Sequence, residues 1–184
     1  MRDYKDFLLE VLVDPDSLQK RITELGAEIS KDYTGGNLLL VCILRGGVMF
    51  LTDLMRSITI PHAIEFMAVS SYGVGKRESG GNVRITLDLN IDISEWDVLI
   101  VEDIVDSGHT LASVMELLST RHPKSLAICT LLDKAERREV PIPIKYRGFI
   151  ISNKFVFGYG LDIDEYYRNL PFIGVVDLNK YQAE

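Results

Sequence analysis

Val98-Leu99-Ile100-Val101-Glu102-Asp103-Ile104-Val105-Asp106-Ser107-Gly108-His109-Thr110-Leu111 is the stretch that decides the fold. Four apolar residues form a strand, two adjacent carboxylates stand at its carboxyl end, a turn of small and hydroxyl residues follows, and a helix begins near Thr110. In open α/β sheets ligands bind at this end of the strands. The turn has the parts of a phosphate cradle. Gly108 lets backbone N–H groups approach an anion closely, Ser107 and Thr110 offer hydroxyl donors, and the helix aims its unpaired N–H groups and positive dipole end at the same place. Donors to a charged group contribute about 1.5–3 kcal/mol each, so a handful holds a phosphate monoester. Glu102 and Asp103 suit a different task. Neighbouring residues on a strand point to opposite faces, so both reach one ligand only where the strand ends. There, carboxylates accept hydrogen bonds from vicinal hydroxyls and support a hard cation, directly or through water. A ribose beside its own 5′-phosphate presents both demands. Taken singly, each residue fits a capped helix with a solvated acidic loop; the ordered set does not.

Outward from this segment the pattern alternates. Asp14-Pro15 reads as a helix N-cap followed by proline in the first turn, and Leu18, Ile22, Leu25 and Ile29 then share one helical face. Gly35-Gly36 breaks the chain before the apolar run Leu38–Leu44, the signature of a parallel strand covered on both faces. Arg45-Gly46-Gly47 leads into a helical stretch from Val48 to about Ile58. A strand runs from Ala63 to Ser70-Ser71, and the glycines and charges of Tyr72 to Gly81 predict a mobile loop. Val83, Ile85 and Leu87 alternate with polar residues, as an antiparallel strand returning from that loop would. Asp97–Val101 and Leu126–Leu132 read as further buried strands flanking a helix from about Thr110 to Thr120, and short strands are expected near Phe149–Ile151, Lys154–Phe157 and Phe172–Val176. The expectation is an α/β fold: an open, mainly parallel twisted sheet flanked by helices, with a small hood formed by the chain ends. Residues 1–184 make a single domain, its core about 37–140 and its hood about 1–13 and 141–184.

The 184 residues carry a formal charge of −7 and are 47% apolar, which fits one domain with a sizeable core. A net acidic chain repels nucleic acid and anionic membrane unless a local basic patch reverses the field. The nearest candidate, Lys134, Arg137 and Arg138, alternates with Glu136 and Glu139. No basic n-region precedes an apolar core at the start, and no stretch reaches the roughly 18 apolar residues of a membrane span. Cys42 and Cys129 sit inside apolar strands and read as two reduced core thiols. A cytoplasmic chain that binds neither nucleic acid nor membrane is expected.

The Glu102–Thr110 segment resembles the phosphoribosyl-pyrophosphate motif of type I phosphoribosyltransferases. The resemblance runs along nearly the whole chain, and the glycine loop after the first core strand, the Ser-Tyr-Gly loop and the C-terminal stretch resemble the hypoxanthine–guanine branch, especially its bacterial members. It implies a doubly wound sheet with a hood, Mg2+ as cofactor, and transfer of 5-phosphoribosyl from phosphoribosyl pyrophosphate to hypoxanthine or guanine. It also implies a homodimer or homotetramer. By the same resemblance, Asp106 is the proton acceptor near purine N7, and Glu102, Asp103, Ile104, Val105, Asp106, Ser107, Gly108, His109 and Thr110 bind the ribose phosphate. His109 contributes its backbone N–H rather than its imidazole. Lys134 contacts the exocyclic O6, Phe155 stacks on the base, and Val156 reads its edge through the backbone. Asp162 joins Glu102 and Asp103 as a metal carboxylate. Arg168 holds pyrophosphate together with the Arg45-Gly46 loop, where many members have Lys in place of Arg45. Ser71 and Tyr72 form the lid. A regulator of the same fold that binds nucleic acid and senses nucleotide is the alternative.

Overall fold

The computed structural model describes residues 3–71 and 83–181. Asp14 caps its helix as its side chain allows, accepting from the Ser17 N–H at 3.0 Å, and α1 spans Pro15–Asp32 after the short strand β1, Leu8–Val13. Leu18, Ile22, Leu25 and Ile29 are all buried along one stripe of α1. The chain continues through β2 (Leu38–Leu44), α2 (Val48–Ser57), β3 (His62–Ser71) and β4 (Val83–Leu87). It then forms β5 (Asp97–Val105), α3 (His109–Ser119), β6 (Ser125–Asp133), β7 (Ile144–Ile150), β8 (Val156–Phe157) and β9 (Ile173–Val176). No helix among the described residues is long and apolar enough to cross a membrane.

Six strands form one sheet in the order β4-β3-β2-β5-β6-β7, all parallel except β4, which runs antiparallel to β3 as the alternation of Val83, Ile85 and Leu87 predicts. Both faces are covered. Leu38, Leu40, Cys42, Leu99 and Val101 pack with residues of α1 and α2, while Leu39, Val41, Val98 and Ile100 pack with Leu111, Val114 and Leu118 of α3. This two-sided burial explains why the strands read as unbroken apolar runs. Both cysteines are buried and free.

Two expectations change. The strand carrying the acidic pair does not end at Val101: β5 continues to Val105, with Glu102, Ile104 and Val105 paired to Thr130, Leu132 and Asp133 of β6. On its other side the β2 pairing stops at Cys42–Val101. Glu102 and Asp103 therefore stand on a strand that is held on one side and released on the other. The strand order also reverses direction between β2 and β5, the place where open α/β sheets form their ligand crevice. The second change concerns residues 144–150, placed in the hood by the sequence. They are β7 of the main sheet, paired in parallel with β6, and Arg21 of α1 secures this edge through the carbonyls of Arg147 and Gly148. The hood sheet is β1-β9-β8, antiparallel throughout, over a cluster of Phe7, Phe157, Ile163, Leu170 and Val176.

Candidate active site

At the head of α3 the chain turns through Gly108 with φ 94°, a left-handed conformation that glycine adopts without steric cost. A Cβ here would stand 2.8 Å from the Val140 carbonyl oxygen. The turn is stapled to the segment after β6, since the Ser107 carbonyl accepts from the N–H groups of Glu139 (2.9 Å) and Val140 (3.1 Å). Among the described residues no side chain caps α3, and no acidic residue sits in its first turn, so its leading N–H groups and positive end are of the kind that suits an anion. Ser107 is half-buried and Thr110 exposed, so both hydroxyls are within reach of a diffusible ligand. The His109 imidazole lies 2.9 Å from Glu139, which leaves the backbone as its contribution to the turn. Ile104 and Val105 belong to β5, and Val105 is buried in the sheet core.

Asp103 is buried; its Oδ1 accepts from the Ile104 N–H at 2.8 Å, and its Oδ2 rests on Gly46 so closely that a Cβ there would stand 1.7 Å away. Glu102 Oε2 is shut off from solvent without a hydrogen-bond partner among the described residues. Burial, and then the adjoining Asp103, push the Glu102 carboxyl well above its ordinary range. Burial raises Asp103 also, opposed by its hydrogen bonds with Glu102 and the backbone and by the charge of Arg168. Two like carboxylates in a low-dielectric crevice, one with an unpaired oxygen, fit a hard cation. Among the described residues no three metal-ligating side chains converge, but Mg2+ typically takes one or two carboxylates and completes its shell with water and substrate phosphate. Asp162 is engaged elsewhere: Arg168 Nη2 approaches its Oδ1 at 2.8 Å, and the Glu165 N–H donates to its Oδ2 at 2.9 Å.

The Arg45-Gly46 loop follows β2, and its Leu44–Arg45 peptide is cis. Arg45 reaches Glu165 at 2.9 Å, and Arg168 reaches the same carboxylate at 3.1 Å while donating to the Gly160 carbonyl at 2.8 Å. Glu165 is a residue the sequence reading missed. Two guanidinium groups already gather around one carboxylate, the arrangement they would take around a pyrophosphate oxygen. Gly46→Ala is expected to lower kcat/KM for the sugar substrate at least about a hundredfold, because sub-ångström positioning near reacting groups is worth that much. Steady-state kinetics with a thermal-melt control checks it; a native rate would show that Asp103 has slack.

Across the turn, Lys134 leaves the end of β6 with its N–H on the Val105 carbonyl (2.9 Å), so its side chain is buried against the tip of β5. Its Nζ is 3.4 Å from Asp106 Oδ2, and Arg137 Nε is 2.7 Å from Asp106 Oδ1. Arg138 pairs with buried Asp133. The residues considered as a basic patch are thus drawn into ion pairs at the mouth of the sheet. Ile151 donates to the Asp133 carbonyl, next to Lys134, and Phe155 follows four residues on. Phe155 is 49% exposed, which removes it from the core and leaves a ring face open; Val156 is buried in β8. No described contact joins Phe155 or Val156 directly to Lys134 or Asp106. Ser71 closes β3 opposite Val83, and Tyr72 lies outside the described residues.

A glycine turn at an uncapped helix start, beside a largely buried acidic pair at the switch point of an open sheet, is an arrangement found in α/β proteins that handle phosphorylated sugars and nucleotides. A family model described as the phosphoribosyl transferase domain matches residues 12–164, and the chain belongs to the phosphoribosyltransferase family. Its similarity runs to the hypoxanthine–guanine branch. It is 51% identical to a hypoxanthine-guanine phosphoribosyltransferase of Mycobacterium avium, over 97% of this chain and 91% of that one. It is 50% identical to the hypoxanthine phosphoribosyltransferase of Escherichia coli (strain K12), over 92% and 96%. A crystal structure of a hypoxanthine phosphoribosyltransferase from Staphylococcus aureus superposes with a TM-score of 0.93 at 48% identity, covering 98% of this chain and 97% of that one.

Proposed function

We propose that this chain is a purine-salvage enzyme that moves the 5-phosphoribosyl group of phosphoribosyl pyrophosphate onto N9 of hypoxanthine or guanine, giving IMP or GMP and pyrophosphate. One observation carries the reading: the anion turn at Gly108, the acidic pair at Glu102–Asp103 and the Asp106–Lys134 pair all lie at one mouth of the sheet, at its switch point. In this reading the N–H groups of Ser107–Thr110 take the 5′-phosphate, and Glu102 and Asp103 face the ribose. Arg45 and Arg168 exchange Glu165 for pyrophosphate. As the C1–oxygen bond breaks, its electron pair leaves with pyrophosphate and positive charge builds on the ribose ring, favoured by the field of the acidic pair. The base, stacked on Phe155 and oriented by Lys134 at O6 and by the Val156 backbone, attacks through N9 from the opposite side. Its N7 proton passes to Asp106. Asp162 stands with Arg168 near the base. Magnesium held through Glu102, Asp103 or Asp162 would offset charge on the leaving pyrophosphate.

The reading places the enzyme in the cytoplasm as a homodimer or homotetramer. The relatives named above are all transferases of this kind, and the nucleic-acid-binding alternative has no support among them. Incubation with phosphoribosyl pyrophosphate, magnesium and single free bases, with the nucleotides identified by mass, tests the proposal. IMP or GMP is expected from hypoxanthine or guanine; formation of only a pyrimidine nucleotide would overturn it.

A further inference from the structure

Lys134 and Arg137 bracket a single 3-10 turn, Ala135–Arg137, closed by the Arg137 N–H on the Lys134 carbonyl at 2.9 Å. Side chains three residues apart eclipse in such a turn, so both cations are delivered to the same carboxylate, one to each oxygen. The two grips differ. Arg137 Nε faces Oδ1 at 2.7 Å as an ion pair without hydrogen-bond alignment, and Oδ1 is shut off from solvent. Lys134 Nζ stands 3.4 Å from Oδ2 on a side chain that is 43% exposed overall, leaving Oδ2 on the accessible side.

We propose that Arg137 is a positioning residue that pins Asp106 through Oδ1 and thereby presents Oδ2 to the N7–H of the purine. The proposal rests on the reading that Asp106 accepts that proton. Lys134, at the longer distance of 3.4 Å, hydrogen-bonds Oδ2 and is the partner offered to O6. When the base draws Lys134 away, Oδ2 is vacated as N7–H arrives, and Arg137 keeps the carboxylate from rotating out of line. Recognition of O6 and acceptance at N7 are thus coupled through one carboxylate held at its far oxygen. A carboxylate can accept several donors at once, so Arg137 need not leave.

The test compares Arg137→Gln and Arg137→Lys. The Gln variant is expected to lose about tenfold in kcat/KM for hypoxanthine, the scale of one charge-assisted contact, with KM for phosphoribosyl pyrophosphate unchanged. The Lys variant recovers most of that loss. As an inhibitor, 9-deazahypoxanthine, which keeps N7–H, weakens in the Gln variant, whereas 7-deazahypoxanthine, with carbon at that position, does not. In an Asp106→Asn background Arg137→Gln adds nothing. A native Gln variant, equal weakening of both analogues, or full additivity with Asp106→Asn overturns the proposal. Undiminished turnover by Asp106→Asn alone would instead overturn the assignment of Asp106.

Discussion

Asp106→Asn is expected to lower kcat by about 10²–10⁴-fold, the range for losing a positioned general base, while IMP and GMP still bind. The asymmetry follows from proton inventories. A free purine offers N7–H and needs an acceptor that can keep the proton; the Asn carbonyl accepts a hydrogen bond but does not take the proton at neutral pH. In the product nucleotide N7 is a bare acceptor, and the Asn amide can donate to it. The substitution also leaves Lys134 and Arg137, at 3.4 and 2.7 Å from the carboxylate oxygens, without a counter-charge. Lys134 is 8% exposed, so a melt must accompany the kinetics to separate lost chemistry from lost stability. Pre-steady-state turnover and calorimetric IMP binding together check the prediction. Native turnover would remove Asp106 from the chemistry.

Removal of magnesium is expected to stop product formation, with a loss of about a thousandfold or more. In the proposed reaction pyrophosphate settles near Glu102 and Asp103, two adjoining buried carboxyls whose surroundings disfavour added negative charge. Two unit charges 4 Å apart at an effective dielectric near 20 interact by about 4 kcal/mol, and each 1.4 kcal/mol is about tenfold. Arg45 cannot cancel that repulsion alone, because its side chain is 70% exposed and solvent screens it. A chelator titration followed by magnesium add-back measures the dependence. Asp103→Asn is expected to raise the magnesium concentration giving half-maximal rate. Protection of the chain from thermal unfolding by magnesium and pyrophosphate together, but by neither alone, gives a readout independent of turnover. Full activity in excess chelator would overturn the metal assignment.

The strand β2, the helix α1 with its Asp14 cap and the turn at Gly108 were legible because each depends on local pattern: a doubly covered strand is apolar throughout, a cap is a side chain three residues from its N–H, and a left-handed turn calls for glycine. The site was less complete. Glu165 escaped the sequence reading and Arg137 entered it only as part of a candidate basic patch, since nothing in a run of mixed charges tells which arginine meets which carboxylate. Glu165 lies 120 residues from Arg45. The end of β5 was misplaced because the Glu102-Asp103 pair looks like a strand terminus, and only the pairing with Thr130, Leu132 and Asp133 carries the strand onward.

Periodicity and turn chemistry, read from residues alone, determined the alternation of strands and helices and the glycine turn that leads into α3, because both arise from neighbours along the chain. Tertiary structure alone decided where β2 parts from β5, that β7 completes the main sheet, and which cation faces each oxygen of Asp106. Those outcomes depend on register and on charges brought together from distant segments, and Coulomb energy follows separation in space rather than in sequence.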